Sequence, residues 1–206
     1  MSRFALLAGL SALFLPALLP APAQKAPMRA APIVADRASE RPVIPQNLED
    51  ALQYVEARMP AEFEDDARCL AQAIYFEARS EPVKGQLAVA QVVLNRVSSP
   101  LWPQSICAVV FQNEHRRHAC QFSFACDGRS DNPRNPLAWQ KSKLVALVAL
   151  EQIWDDISDQ ATHYHADYVS PSWNKSMRQT ARYGRHLFYL DARQATLISD
   201  HAHGDG

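Results

Sequence analysis

Glu77 stands in the run Ala73-Ile74-Tyr75-Phe76-Glu77-Ala78-Arg79-Ser80-Glu81-Pro82, a carboxylate in line with an apolar helical stripe. Phe63, Ala67, Leu70, Ile74 and Glu77 are spaced four, three, four and three, which puts them on one face of a helix. A carboxylate half-buried there holds its proton more tightly than in water. The negative end of the helix dipole acts in the same direction. Ser80-Glu81-Pro82 reads as the cap and first turn of a following helix, so Glu77 falls where its own helix stops. Such a group suits general-acid work near neutral pH. The plain alternative is a solvated glutamate paired with Arg79 or another cation. Glu81 is accounted for by the dipole of the helix it opens.

Two further sets of side chains have chemical potential. Cys69, Cys107, Cys120 and Cys126 suggest two disulfides in an exported chain, with three possible pairings. Cys120 to Cys126 alternates like a strand, with Cys120, Phe122, Phe124 and Cys126 on one side and Gln121 and Ser123 on the other. Straight strand would separate Cys120 and Cys126 by about 20 Å, far beyond the roughly 7 Å a disulfide tolerates. The expectation is therefore that Cys69 pairs with one of these two and Cys107 with the other, unless the segment turns back. His163, His165 and His186 could in principle ligate a metal, but strand histidines are more often structural. No CxxC pair supports zinc, and neither metal nor cofactor is expected.

The elements that must position these groups are mainly helical. Leu48, Leu52, Val55 and Met59 make an amphipathic helix ending at Pro60. The Glu77 helix follows, with Asp65 or Asp66 as its cap. Val83, Leu87, Ala90, Leu94 and Val97 mark the next helix, closed by Ser98-Ser99-Pro100. Ser105 to Phe111 reads as a short helix and Leu137 to Trp154 as a long one. Strand signals lie at 120–126, at Thr162 to His165 and at Arg185 to Tyr189. The fold class expected is α+β, mainly helical, with a small β-sheet.

The ends divide off from this domain. Residues 1–23 read as a secretory signal, with Arg3 as the charged start, an apolar run from Phe4 to Leu19 and Ala21-Pro22-Ala23 as the cleavage region. The run is short for a membrane span and is broken by Pro16, so no stable membrane insertion is expected after removal. Residues 24–45 form a Pro/Ala-rich tether, 46–61 a helical extension, 62–191 the catalytic domain and 192–206 a tail. The protein is expected to be periplasmic or extracellular. Its 21 basic residues, Arg3 among them, face 22 acidic ones, which argues against a general nucleic-acid binder.

The run 73–82, with Gly85-Gln86-Leu87-Ala88-Val89-Ala90 and Val93-Leu94-Asn95-Arg96-Val97, resembles the SleB/CwlJ-type cell-wall hydrolases. Cys120-Gln121-Phe122-Ser123-Phe124, Ala161-Thr162-His163-Tyr164-His165, Pro171-Ser172-Trp173 and Gly184-Arg185-His186-Leu187-Phe188-Tyr189 continue the likeness in order, over roughly residues 68 to 190. Ser80 departs from it, standing where the family usually has Gly. The resemblance implies a lysozyme-like fold acting on peptidoglycan glycan strands. It also implies lytic transglycosylase chemistry at the MurNAc–GlcNAc β-1,4 bond, with Glu77 as the one essential acid. Such chemistry needs no second carboxylate, and Asp127, the nearest in motif terms, belongs first to an Asp-Gly turn.

Supporting roles fall to residues of the same blocks. Gln121 and Ser123 would face the cleft if Phe122 and Phe124 pack inward. Tyr164 places a hydroxyl near Glu77, stacks on a sugar, or serves as a core aromatic with a polar tip. His163 and Trp173 are further candidate substrate contacts, with Trp102 and Trp173 either core or cleft wall. Arg79 is expected to form an ion pair, and Asn95 and Arg96 to tie helix ends. Two rival functions remain: a zinc amidase cutting the MurNAc–L-Ala link through His163, His165 and His186, and a non-catalytic peptidoglycan-binding protein.

Overall fold

The computed structural model describes residues 45–116, 120–191 and Arg193. The signal expected at 1–23, all but the last residue of the tether and all of the tail but Arg193 lie outside the described residues. No helix among the described residues is long and apolar enough to cross a membrane.

Helix α1 (Leu48–Glu56) starts where the Asn47 side chain accepts from the Asp50 N–H at 2.9 Å. Helix α2 (Asp65–Ala78) carries Glu77 in its last turn. The capping acid expected at its start is absent: Glu64 holds the cap position without a side-chain bond. Asp66 instead accepts from the Cys107 N–H at 3.1 Å, bracing the start of α4 (Ile106–Val110). Helix α3 (Val83–Val97) follows a short turn, and α5 (Pro136–Leu150) begins with proline behind an Asn135 cap. Helix α5 stops four residues short of Trp154, because Gln152 adopts φ 52° and Ile153 N–H returns to the Val148 carbonyl.

Helix α2 packs against α3, α4 and α5, and α1 against α5. Leu70, Ile74, Leu87, Val93, Val110 and Val148 are fully enclosed in this core. Each such aliphatic side chain is worth about 1.5–3 kcal/mol relative to exposure. Helix α3 is buried on two sides. Leu87, Ala90 and Val93 face the helices, while Ala88, Val89 and Val92 face Phe188 of the sheet. A single apolar stripe captures only half of such a helix.

The sheet has strand order β1-β3-β2, antiparallel throughout, from β1 (His163–Ala166), β2 (Arg178–Tyr183) and β3 (His186–Leu190). Tyr164 pairs with Phe188 and His163 with Tyr189. Strand β2 is absent from the sequence expectations: its residues Arg-Gln-Thr-Ala-Arg-Tyr are polar, as suits an edge, and a register shift at Gln179/Ala181 breaks their alternation. Strand β2 lies against α3 at Gly85, where a Cβ would meet Tyr183 at an ordinary contact distance of 3.6 Å.

The expected strand at 120–126 is corrected. Ser123–Cys126 is a 3-10 turn, with the Ala125 N–H bonded to the Phe122 carbonyl at 3.1 Å. Phe122 and Phe124 are both buried, as the alternation required, yet the backbone curls between them. That curl brings the Cys120 and Cys126 Cα atoms to 6.2 Å, and these two cysteines are bonded to each other. Cys69 pairs with Cys107, which overturns the crossed pairing expected from a straight strand.

Candidate active site

Glu77 emerges from the last turn of α2, half-buried, toward the inner face of the sheet. The Tyr164 hydroxyl of β1 donates to its Oε2 at 3.3 Å. Burial pushes the Glu77 carboxyl above its ordinary value of 4.5, and the tyrosine hydrogen bond opposes this in part. Tyr164 is itself pushed well above 10, first by burial and then by the Glu77 charge, so it stays a donor. Its ring lies against His186 at 5.2 Å and Phe188 at 5.8 Å.

Several polar residues of α3 deliver β1 to this position. Gln91 is buried and uses both ends of its amide, donating to the Asp155 carbonyl at 2.8 Å and accepting from Ile157 N–H at 3.0 Å. Asn95 donates to the Ala161 carbonyl and to Ser158 Oγ, both at 3.1 Å. The loop before β1 is thereby fixed to α3, and Tyr164 is set over the end of α2. Asn95 thus ties a loop and not the end of its own helix.

Arg96, the next residue, is 2% exposed. Its Nε donates to the Thr162 carbonyl at 2.7 Å, and its guanidinium lies 4.3 Å from the Trp102 ring centre. With the Gln121 amide turned so that its oxygen faces Arg96, that oxygen accepts from Nη1 at 2.9 Å and Nη2 at 3.1 Å. Burial, opposed by Tyr164, pulls the Arg96 guanidinium down to about 10. One guanidinium therefore joins α3, β1 and the 3-10 turn. Nothing in its sequence spacing marked it, since α3 also carries Lys84, Gln86, Gln91 and Asn95.

The structure sorts the other candidates. Tyr164 meets Glu77; Gln121 meets Arg96; Ser123 is exposed at the start of the 3-10 turn. His163 and Trp173, with ring centres 5.3 Å apart, occupy the opposite face of β1 from Tyr164, together with His165 and Tyr189. Burial and then Arg96 hold His163 at about 4, partly opposed by Asp191, so its imidazole is neutral above that pH. Arg79 forms no ion pair among the described residues; it donates to the Tyr75 carbonyl at 3.1 Å and lies over the Tyr75 ring. His186 pairs in register with Ala166 and lies beside Tyr164, so it sits on the face opposite His163 and His165. The three imidazoles do not converge on one metal position, and no metal-binding group of His, Cys, Asp or Glu is present among the described residues.

A helical core beside a small antiparallel sheet defines a lysozyme-like α+β domain. The chain belongs to the cell wall hydrolase family, whose model matches residues 80–189. That match begins three residues after Glu77. Among curated relatives, the spore cortex-lytic enzyme of Bacillus subtilis (strain 168) is 34% identical over 137 residues, which is 65% of this chain and 41% of that protein. The spore cortex-lytic enzyme of Halalkalibacterium halodurans is 36% identical over 132 residues, 63% of this chain and 36% of that one. The chain thus spans about two fifths of the length of these curated relatives. Two solved structures are also similar. The catalytic domain of the Bacillus cereus SleB protein has a TM-score of 0.50 and 29% identity, over 64% of this chain and 94% of that one. The catalytic domain of the germination-specific lytic transglycosylase SleB from Bacillus anthracis has a TM-score of 0.51 and 31% identity, over 64% of this chain and 99% of that one.

Proposed function

We propose that this protein is a peptidoglycan lytic transglycosylase that breaks the MurNAc–GlcNAc β-1,4 bond with Glu77 as acid and then base. The observation that carries the reading is Glu77 itself, half-buried, held toward its protonated form and touched by the Tyr164 hydroxyl. Protonated Glu77 gives its proton to the glycosidic oxygen as the C1–O bond breaks and oxocarbenium character develops at C1. The C6 hydroxyl of the same sugar then bonds to C1 and returns its proton to the Glu77 carboxylate. The product is a 1,6-anhydro ring, no water is consumed, and the acid is regenerated. A hydrolase of the usual kind places a second carboxylate 5–10 Å away, roughly, to serve water or a covalent intermediate. Among the described residues, burial and the Tyr164 hydrogen bond are what act on the Glu77 carboxyl, and no carboxylate is hydrogen-bonded to it. The named relatives and neighbours, one of them a lytic transglycosylase by name, support the substrate class.

In the same reading, residues 1–23 direct export, 24–45 tether and 46–61 extend the catalytic domain at 62–191, and 192–206 form a tail. The two disulfides suit the oxidising space outside the cytoplasm. The partners are glycan strands, not nucleic acid. The test is digestion of purified sacculi with the wild type and Glu77→Gln, followed by mass spectrometry of the released fragments. Anhydro ends from the wild type and none from a folded Glu77→Gln variant are expected. Hydrolysed ends would refute the transglycosylase step, and full activity of Glu77→Gln would remove Glu77 from the mechanism.

A further inference from the structure

Beside the end of α2 lies a cleft of about 560 Å³, within the range of ligand sites. Arg79, Arg129 and Arg134 all line it, and none of the three is in an ion pair among the described residues. Asp127 and Asp131 line it too without closing onto the arginines. We propose that this cleft is a subsite for the peptide arm of peptidoglycan, whose carboxylates it takes on the three guanidiniums. The inference rests on the reading of the protein as a peptidoglycan-cleaving enzyme.

The wall bearing two of these arginines is built and anchored. The Tyr75 hydroxyl accepts from the backbone N–H groups of Arg134 at 3.1 Å and Asn135 at 3.0 Å. Gln72 donates to the Asp131 carbonyl at 3.1 Å. Asp127 accepts from the Arg129 N–H at 2.8 Å, and Phe124 stacks on Phe76 with ring centres 4.7 Å apart. The Cys120–Cys126 bond closes the turn that carries Phe124. The arginine side chains are exposed, yet the segment presenting them is held from both ends.

Charge and position select the ligand. The MurNAc–GlcNAc backbone is neutral apart from the groups carried on its lactyl arm, and neutral sugar gives three guanidiniums nothing to pair with. A stem peptide carries carboxylates and, where it contains a diamino acid, an ammonium, which matches a cleft holding three cations and two anions. Guanidinium forks are suited to carboxylates in bidentate geometry. The Arg79 Cα lies within about 7 Å of the Glu77 Cα along the chain. The Phe76 face adjoins the Glu77 face, about 100° away around the helix. The peptide arm leaves the glycan at the sugar whose C1 is cleaved, which puts that arm within reach of a cleft close to the acid.

The test uses the full chain and Arg129→Gln/Arg134→Gln with two kinds of glycan strand, peptide-bearing and peptide-stripped by an amidase. Wild type is expected to prefer peptide-bearing strands by about five- to tenfold, and the variant to bring that ratio close to one. Calorimetry with free stem tetrapeptide, which has no glycosidic bond, is expected to show binding that weakens by a similar factor in the variant. Equal loss on both strands, or unchanged peptide affinity, overturns the inference. Displacement of the peptide by inorganic phosphate at equal concentration would make this a general anion site and overturn it as well. Peptide binding that depends on the arginines, with no cleavage of either strand, would uphold this inference while refuting the proposed function.

Discussion

Replacing Arg96 by leucine tests whether a buried, carboxylate-free guanidinium stabilises the site it joins. The substitution removes the bond to the Thr162 carbonyl and the paired bonds to Gln121. Charge-assisted bonds contribute about 1.5–3 kcal/mol each, so these two attachments together are worth roughly 4 kcal/mol. Loss of the Trp102 contact adds about 2 kcal/mol for a desolvated pair. Against this stands the cost of burying the charge. A guanidinium drawn down to about 10 has lost roughly 3 kcal/mol of preference for its charged form. Leucine returns that amount. The balance is a destabilisation of about 3 kcal/mol, a large part of the 5–15 kcal/mol a domain has. Urea denaturation would read it as a lower midpoint at an unchanged slope. Arg96→Lys should fail to restore stability, because one ammonium cannot reach Thr162 and Gln121 with the geometry of a fork. A midpoint corresponding to less than about 1 kcal/mol of loss in Arg96→Leu would refute the reasoning, showing that the bonds only offset the burial.

Tyr164→Phe removes the donor that favours ionised Glu77, so the Glu77 carboxyl should rise further and the alkaline limb of kcat/KM should move to higher pH. A limb that stays or moves down contradicts the assignment. Glu77 itself is raised above its ordinary 4.5, so the folded state holds the proton more tightly than the unfolded one. Its contribution to stability is present below 4.5 and is lost as pH rises through the raised value. Glu77→Gln should therefore gain stability over wild type on going from acid to neutral pH, and a pH-independent difference in melting temperature would count against it. The Cys69–Cys107 bond spans 38 residues and the Cys120–Cys126 bond six. Loop-closure entropy makes the paired Cys→Ala losses about 4 and about 2 kcal/mol, and the reverse order in denaturation would contradict that model.

How far the sequence disclosed this molecule depended on whether a pattern was local. The helices of Leu48, Val83 and Ile106 carry their signals in apolar spacing and neighbouring caps, and they form close to where that spacing put them. Glu77 was visible because a carboxylate in an apolar stripe is anomalous in any fold. The turn at Ser123–Cys126 was not visible, because phenylalanines two apart are buried equally well by a strand or by a tight turn stacked on Phe76. Only the distant α2 decides between them. Strand β2 was hidden for a related reason: an edge strand has one neighbour and need not alternate. Arg96 needed the third dimension altogether, since its partners lie 25 and 66 residues away in the chain.

The tip of the β2–β3 hairpin reaches back to the turn that follows Glu77. Gly184 sits at φ 57°, and a Cβ there would collide with the Glu81 carboxylate and stand 2.9 Å from Pro82 Cδ. The next residue, Arg185, donates its N–H to Glu81 Oε2 at 2.9 Å. The acid on α2 and the hydroxyl on β1 are thus parts of one closed mechanical loop, running through Glu81, the hairpin and the Tyr164–Phe188 pairing. Slippage of the sheet along the helices would have to break that loop. The orientational freedom of Glu77 relative to Tyr164 is surrendered during folding, before any glycan arrives, and binding need not spend energy to align them.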